Sequence, residues 1–335
     1  MKLTTKSIDQ QVMLITGASS GNGLVTAREA ARRGARVVLV SRDATDLARA
    51  EAEIRAAGGQ ATHAVADVAD YDALRAAADH AERTFGGIDT WVNNAGVSIY
   101  GRVEEVKLDD ARRLFETNYW GLVHGSLIAV ERMRGRGGVL VNIGSVLSDT
   151  GYPLQGHYTA SKHAVKGFTD SLRMELEKER APIAVCLVKP AAIDTPYPEH
   201  AGNYLGVEPK HVPPVYAPEA VATAILSCAV KPQRDVKVGG SVKMFTTMET
   251  FVPRLGDRFK VVGAFDQQKT ERPALDDDIL HAPRAGDGRA RGNYPGRVMG
   301  SSLYTRASLN PLGTVLGAAA VGLGLALFAR GRADV

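Results

Sequence analysis

The segment Val12-Met13-Leu14-Ile15-Thr16-Gly17-Ala18-Ser19-Ser20-Gly21-Asn22-Gly23 passes from an apolar strand pattern straight into a glycine-rich turn, and a helical pattern, Leu24–Arg33, follows at once. Glycines at these positions let the backbone turn tightly and come close to a pyrophosphate. The helix start then presents unpaired N–H groups and the positive end of its dipole. A glycine-rich loop alone is a weak signal. Set between a strand and a helix at the head of an α/β pattern, it predicts a phosphate cradle made of Gly17, Ser19, Ser20, Gly21, Asn22 and Gly23.

Outward from this loop, short apolar runs alternate with longer helical stretches. The strands predicted are Val12–Thr16, Arg36–Ser41, Thr62–Ala66, Thr90–Asn93, Val139–Ile143, Ile183–Val188 and Val236–Val238. The helices predicted between them are Leu24–Arg33, Thr45–Ala57, Tyr71–Phe85, Asp109–Met133 and Ala160–Glu179. Continuous apolar strands separated by helices imply a parallel sheet covered on both faces, and right-handed crossovers make it doubly wound. The expected fold class is therefore α/β, a doubly wound parallel sheet over residues 1–240, with a C-terminal extension ending in an apolar segment.

The extension is expected over 241–309. Its Met244, Met248, Phe251, Val252, Leu255 and Phe259 recur at helical spacing around Pro253, which predicts a stripe packed on the parent domain, the other reading being a face that touches a membrane. Residues 271–300 are rich in Gly, Pro, Arg and Asp and read as irregular chain. The uncharged run Leu312–Ala329, within 310–331, is long enough as a helix for roughly 27 Å, close to the ~30 Å hydrocarbon core. Seven arginines and the single acid Asp287 lie between Arg284 and Arg332, which suits anionic headgroups. A membrane anchor through this segment is expected. The alternative is a small-residue helix buried in a homo-oligomer interface, and a homo-oligomer is expected in either case.

Composition bounds the rest. Residues 241–335 hold 13 Lys+Arg against 9 Asp+Glu, so the chain's net charge of +4 sits there and residues 1–240 are neutral. A neutral main body argues against nucleic acid as a partner. Cys186 and Cys228 lie in apolar stretches without paired spacing and are expected as buried, reduced thiols. The start of the chain is short and polar and lacks a secretory pattern, which suggests a cytoplasmic location. His157 and His163 lack the spacing of metal ligands, so no metal is expected.

The strand ends carry the remaining signals. After the second strand comes Ser41-Arg42-Asp43, where a cofactor with a free ribose diol would favour a carboxylate. Arg42 can instead fork onto a 2′-phosphate, with Ser41 adding a hydrogen bond and Asp43 capping the next helix. The other reading of Arg42 is a solvated surface charge. Asp67-Val68 ends the third strand, and Asn93-Asn94-Ala95-Gly96 follows the fourth. Ser145 ends the fifth strand, thirteen residues before Tyr158-Thr159-Ala160-Ser161-Lys162, in which Tyr158 and Lys162 stand four apart on one helix face. Asn118-Tyr119-Trp120-Gly121 lies mid-helix.

Together these motifs, over residues 11–240, resemble the short-chain dehydrogenase/reductase family, with its TGxxxGxG, NNAG and YxxxK patterns and Rossmann-like sheet. The resemblance implies an NADP(H)-dependent oxidoreductase that moves a hydride between nicotinamide C4 and a carbonyl or secondary-alcohol carbon. It implies a catalytic tetrad of Asn118, Ser145, Tyr158 and Lys162, with Tyr158 as acid/base and Asn118 positioning a water. It also implies cofactor contacts from Asp67, Val68, Asn94, Ala95, Gly96, Tyr158, Lys162, Pro190, Ile193 and Thr195. Two departures stand out: Asn22 where the family has an aliphatic residue, and Ala191 where it has glycine. A tyrosine titrating near ~10 needs roughly 4 kcal/mol to become a base at neutral pH, and an ammonium ~4 Å away supplies about that much. Six prolines in 194–218 predict a lid, and Val146, Leu147, Tyr152 and Leu154 predict its opposite wall, which together favour a small apolar substrate. The competing reading is a chain that binds NADP(H) as a sensor or scaffold without turnover.

Overall fold

The computed structural model describes residues 4–274, 280–284, 286–310 and 314. Seven strands form one parallel sheet: β1 (Val12–Thr16), β2 (Arg36–Ser41), β3 (Gln60–Val65), β4 (Thr90–Asn93), β5 (Gly138–Ile143), β6 (Ile183–Pro190) and β7 (Asp235–Val238). Their order is β3-β2-β1-β4-β5-β6-β7. The order reverses between β1 and β4, so the crevice beyond their C-terminal ends is where a ligand belongs.

Helices cover both faces. Met13 and Ile15 point into a core shared with α1 (Gly21–Arg32), α2 (Ala44–Ala56) and α7 (Pro218–Val230). Val12 and Leu14 point the other way, into a core with α3 (Tyr71–Phe85), α5 (Gly121–Met133) and α6 (Gly156–Lys178). Burial on both sides is why these strands are continuously apolar rather than alternating. Cys186 and Cys228 are buried free thiols.

The structure departs from the expected boundaries in three informative places. The third strand begins at Gln60, two residues early, because Gln60 pairs with Arg36 of β2. It is an edge strand, and pairing set by a neighbour leaves little trace in its own sequence. The long helix expected over 109–133 is two helices, α4 (Leu108–Phe115) and α5, joined by a π-helical turn at Glu116–Trp120. That turn carries Asn118. Finally, α6 begins at Gly156 rather than Ala160, so Tyr158 stands in its first turn.

The extension folds back onto the body. After α8 (Gly240–Phe251) and α9 (Pro253–Gln267), Lys269–Pro273 pairs antiparallel with Val207–Pro209, and Val298–Met299 pairs with Val215–Tyr216. The apolar stripe does not pack on the parent domain as expected: Phe251 is 77% exposed, Leu255 61% and Phe259 58%. The inward face of α9 instead buries Gly256, Lys260 and Ala264. Lys260 can go inward because its Nζ meets Glu249 at 3.0 Å, Asp257 at 3.1 Å and Thr150 Oγ1 at 3.1 Å. Paired charge and hydrogen bonds thus claim the face that a hydrophobic count would have assigned to the stripe. Among the described residues no helix is long and apolar enough to cross a membrane. The run Leu312–Ala329 expected as an anchor lies outside the described residues, apart from Thr314.

Candidate active site

A single cleft, with a cavity volume of about 330 Å³, runs along the C-terminal ends of the strands. Gly17, Ser19, Ser20, Gly21 and Asn22 line one end. The loop is held from the neighbouring strand. Asn94 Nδ2 donates to Thr16 O at 2.9 Å and Gly17 O at 3.2 Å, while Thr16 Oγ1 accepts from the N–H groups of Asn94 and Ala95. Behind it, Asn93 knots Trp91, Ser126 and Asn142 into a buried network. Gly23 does not line the cleft. A Cβ there would sit 2.1 Å from Gly17 O, so this glycine lets α1 close on its own loop. Gly23→Ala is therefore expected to lower stability by about 2 kcal/mol or more, in the range of core overpacking. Thermal melts check this, and an unchanged Tm would mean that the loop adapts freely.

At the β2 end, Ser41, Arg42, Asp67 and Val68 line the cleft. Asp43 caps α2 as expected, its carboxylate accepting from Asp46 N at 2.9 Å. Ser41 Oγ accepts from Asp43 N at 3.1 Å. Arg42 is not a solvated charge: its Nη1 donates to Leu280 O at 3.0 Å and His281 O at 3.3 Å, with Asp67 4.0 Å away. Asp67 also pairs with Arg113.

The catalytic candidates converge at the far end of the cleft. Ser145 follows β5 by two residues and caps the short helical turn Val146–Ser148, while Tyr158 and Lys162 come from one face of α6. Lys162 Nζ donates to Ile143 O at 3.0 Å and lies 5.8 Å from the centre of the Tyr158 ring. Burial pushes the Tyr158 phenol up, and the Ser145 and Tyr197 hydroxyls pull it partly back. Burial lowers Lys162 to about 8. Where the spacing leads one to expect a phenol lowered by Lys162, burial holds Tyr158 above its ordinary value. Burial thus disfavours both charged forms, the Tyr158 phenolate and the Lys162 ammonium.

Asn118 is the fourth member, but its side chain does not reach the cleft. Its Nδ2 donates to Val97 O at 2.9 Å and Ser161 Oγ at 3.1 Å, and its Oδ1 accepts from Val97 N at 2.8 Å. The amide clamps the segment after Gly96. Gly96 is the spacer, since a Cβ there would lie 3.3 Å from Asn118 Oδ1 and 3.7 Å from Lys162 Nζ.

Ala95, Pro190, Ile193 and Thr195 line the cleft as expected, and the lid contributes Pro196, Tyr197, Val212, Pro213 and Pro214. On the opposite wall, Val146, Leu147 and Tyr152 line it but Leu154 does not. Leu154 has φ +64°, is buried, and gives its carbonyl to Gly101 N. Sequence reading missed Tyr197, whose hydroxyl donates to Val97 O at 2.9 Å beside Tyr158, and Phe245, Lys260 and Gln268 from the extension. It also missed Pro283, Arg284 and Asp287. No motif marks these residues: Tyr197 belongs to the lid, and the others reach the cleft through long-range folding of the extension. Among the described residues no group of three or more His, Cys, Asp or Glu could hold a metal ion.

Glycine cradle, switch-point crevice and a buried Ser-Tyr-Lys cluster define a nucleotide-binding α/β oxidoreductase. The short chain dehydrogenase family model matches residues 11–203, and the chain belongs to that family. It is 43% identical over 315 residues to the "Uncharacterized oxidoreductase YxnA" of Bacillus subtilis (strain 168), covering 93% of this chain and 88% of that one. A match of that length takes in most of the extension. It is 33% identical to "Dehydrogenase/reductase SDR family member 7B" of Bos taurus over 78% of this chain and 83% of that protein. Among solved structures, a short chain dehydrogenase/reductase from Burkholderia phymatum in complex with NAD superposes with a TM-score of 0.67 at 25% identity, covering 81% of this chain and 99% of that one.

Proposed function

We propose that the chain is an NADP(H)-dependent oxidoreductase acting between a carbonyl and a secondary alcohol, with Tyr158 as its acid/base. The observation that carries this reading is the convergence of Ser145, Tyr158 and Lys162 at the end of a cleft that begins at the glycine loop. The residues fit a dinucleotide. Gly17 packs against Ala95, where a Cβ would lie 2.8 Å from Ala95 Cα, and Gly17, Ser19, Ser20, Gly21 and Asn22 line the cleft at the start of α1, where a pyrophosphate would lie. A bound nicotinamide supplies or accepts the hydride. Ser145 and Tyr158 hydrogen-bond the substrate oxygen, and Tyr158 gives it the proton as negative charge builds, or takes one in the reverse direction. Lys162, protonated below about pH 8, stabilises the phenolate left behind. The apolar wall of Val97, Tyr100, Val146 and Leu147 favours a small apolar substrate.

Arg42 supports NADP(H) over NAD(H), because it stands at the end of β2 where a diol-binding carboxylate would otherwise be, and the nearby Asp43 is spent on its helix cap. Arg42→Ala is expected to weaken NADPH by about 10- to 100-fold, as a charge-assisted hydrogen bond worth about 1.5–3 kcal/mol requires, and NADH by less than about threefold. Fluorescence titration with both cofactors decides it. Equal losses would refute the assignment.

A further inference from the structure

The extension returns to the cleft it was expected only to follow. Residues 280–284 and 286–292 cross the whole nucleotide side of the groove. At the β2 end, Leu280 O accepts from both Arg42 Nη1 at 3.0 Å and Arg113 Nε at 3.1 Å. Leu280 itself is 2% exposed, and its Cδ1 would lie 2.7 Å from a Cβ on Gly202. In the middle, Arg289 O accepts from Gly21 N at 3.0 Å, at the start of α1. At the nicotinamide end, Gly292 presses on the loop after β6, where an added Cβ would come 2.5 Å from Thr195 O.

This crossing is latched by charge. Arg289 pairs with Glu199 and, at 2.6 Å, with Asp287. Asp287 meets His200 Nε2 at 2.8 Å. The Asn293 N–H donates to Glu199 at 3.0 Å, so this buried carboxylate is held by backbone as well as by the guanidinium. Glu199 and His200 belong to the lid. Strap and lid therefore meet over the groove, while Pro283, Arg284 and Asp287 face its interior.

We infer that residues 280–284 and 286–292 are a strap that closes over the bound dinucleotide, which enters and leaves only when the Arg289–Glu199 latch opens. The inference rests on the cofactor reading above. A covered groove slows both association and release. A partly buried charge pair couples the two lips more strongly than an exposed one, because water screens it less.

Stopped-flow measurement of NADPH binding and displacement, on wild type and on Arg289→Ala, Glu199→Gln and the double variant, tests it. Each latch variant is expected to release NADPH at least tenfold faster and to bind it faster, with the double variant close to the singles because they break one contact. In parallel, trypsin should cut after Arg284 faster in the variants, and NADPH should protect wild type. Unchanged rates in both directions would overturn the strap. So would faster binding with unchanged release, which would make the segment a plug competing with cofactor. If neither wild type nor variants bind NADPH or NADH, the cofactor reading itself fails. A variant that fails to fold is recognised by its melt, and the other single variant then carries the test.

Discussion

Tyr158→Phe is expected to reduce kcat by about 10³-fold, within the ~10²–10⁴ that a positioned general acid contributes, while NADPH Kd changes by less than about threefold. The substitution removes one oxygen from a ring that otherwise stays packed. Tyr158 is buried and its ring meets that of Tyr197 edge-on, at 5.9 Å between centres. The neighbouring Tyr197 is no substitute donor, because its hydroxyl already donates to Val97 O. Stopped-flow titration and steady-state turnover on one preparation separate binding from chemistry. A variant that retains more than a tenth of the wild-type rate would remove Tyr158 from the proton's path.

Lys162→Met is expected to abolish most turnover and, at the same time, to make the protein more stable at neutral pH. The wild-type ammonium is buried and its pKa lies at about 8, against ~10.4 for an exposed lysine. At pH 7 the fold therefore holds a charge that burial disfavours, at a cost of about 3 kcal/mol. The hydrogen bond to Ile143 O, worth about 1 kcal/mol, offsets part of what the variant gains. The sign follows from proton counting. Between about pH 8 and ~10.4 the unfolded chain keeps its proton longer than the folded one, so wild-type stability rises with pH across that window. Below it the penalty is fully present. Methionine removes the titration, so the variant's advantage should be greatest at pH 7 and should fade towards pH 10–11. Denaturant unfolding at both pH values reads this directly. A variant less stable than wild type at pH 7 would show that hydrogen bonding to Lys162 outweighs its desolvation. Together the two substitutions would show a catalytic pair that is maintained at the expense of stability.

Much of this site was legible in one dimension because its logic is local. The glycine loop, the Ser41-Arg42 pair and Tyr158/Lys162 are spaced by strand ends and helical turns, and those periods are properties of the backbone itself. Alternating apolar runs and helices were enough to derive the parallel sheet, all seven of its strands to within two residues of their ends, and the strand–turn–helix that bears the cradle. Tertiary structure decided what depends on a distant partner. The start of β3 was set by Arg36. Asn118 became a clamp on Val97 because a π-turn aims it there. The stripe of Phe251, Leu255 and Phe259 was left outside because buried Lys260 found two carboxylates. Residues 280–284 and 286–292, read as irregular chain, were drawn across the groove by Arg42, Gly21 and Glu199, each more than 75 positions away along the chain. Periodicity reports which face of an element is apolar; it carries no record of which remote hydrogen bond or charge pair will compete for that face.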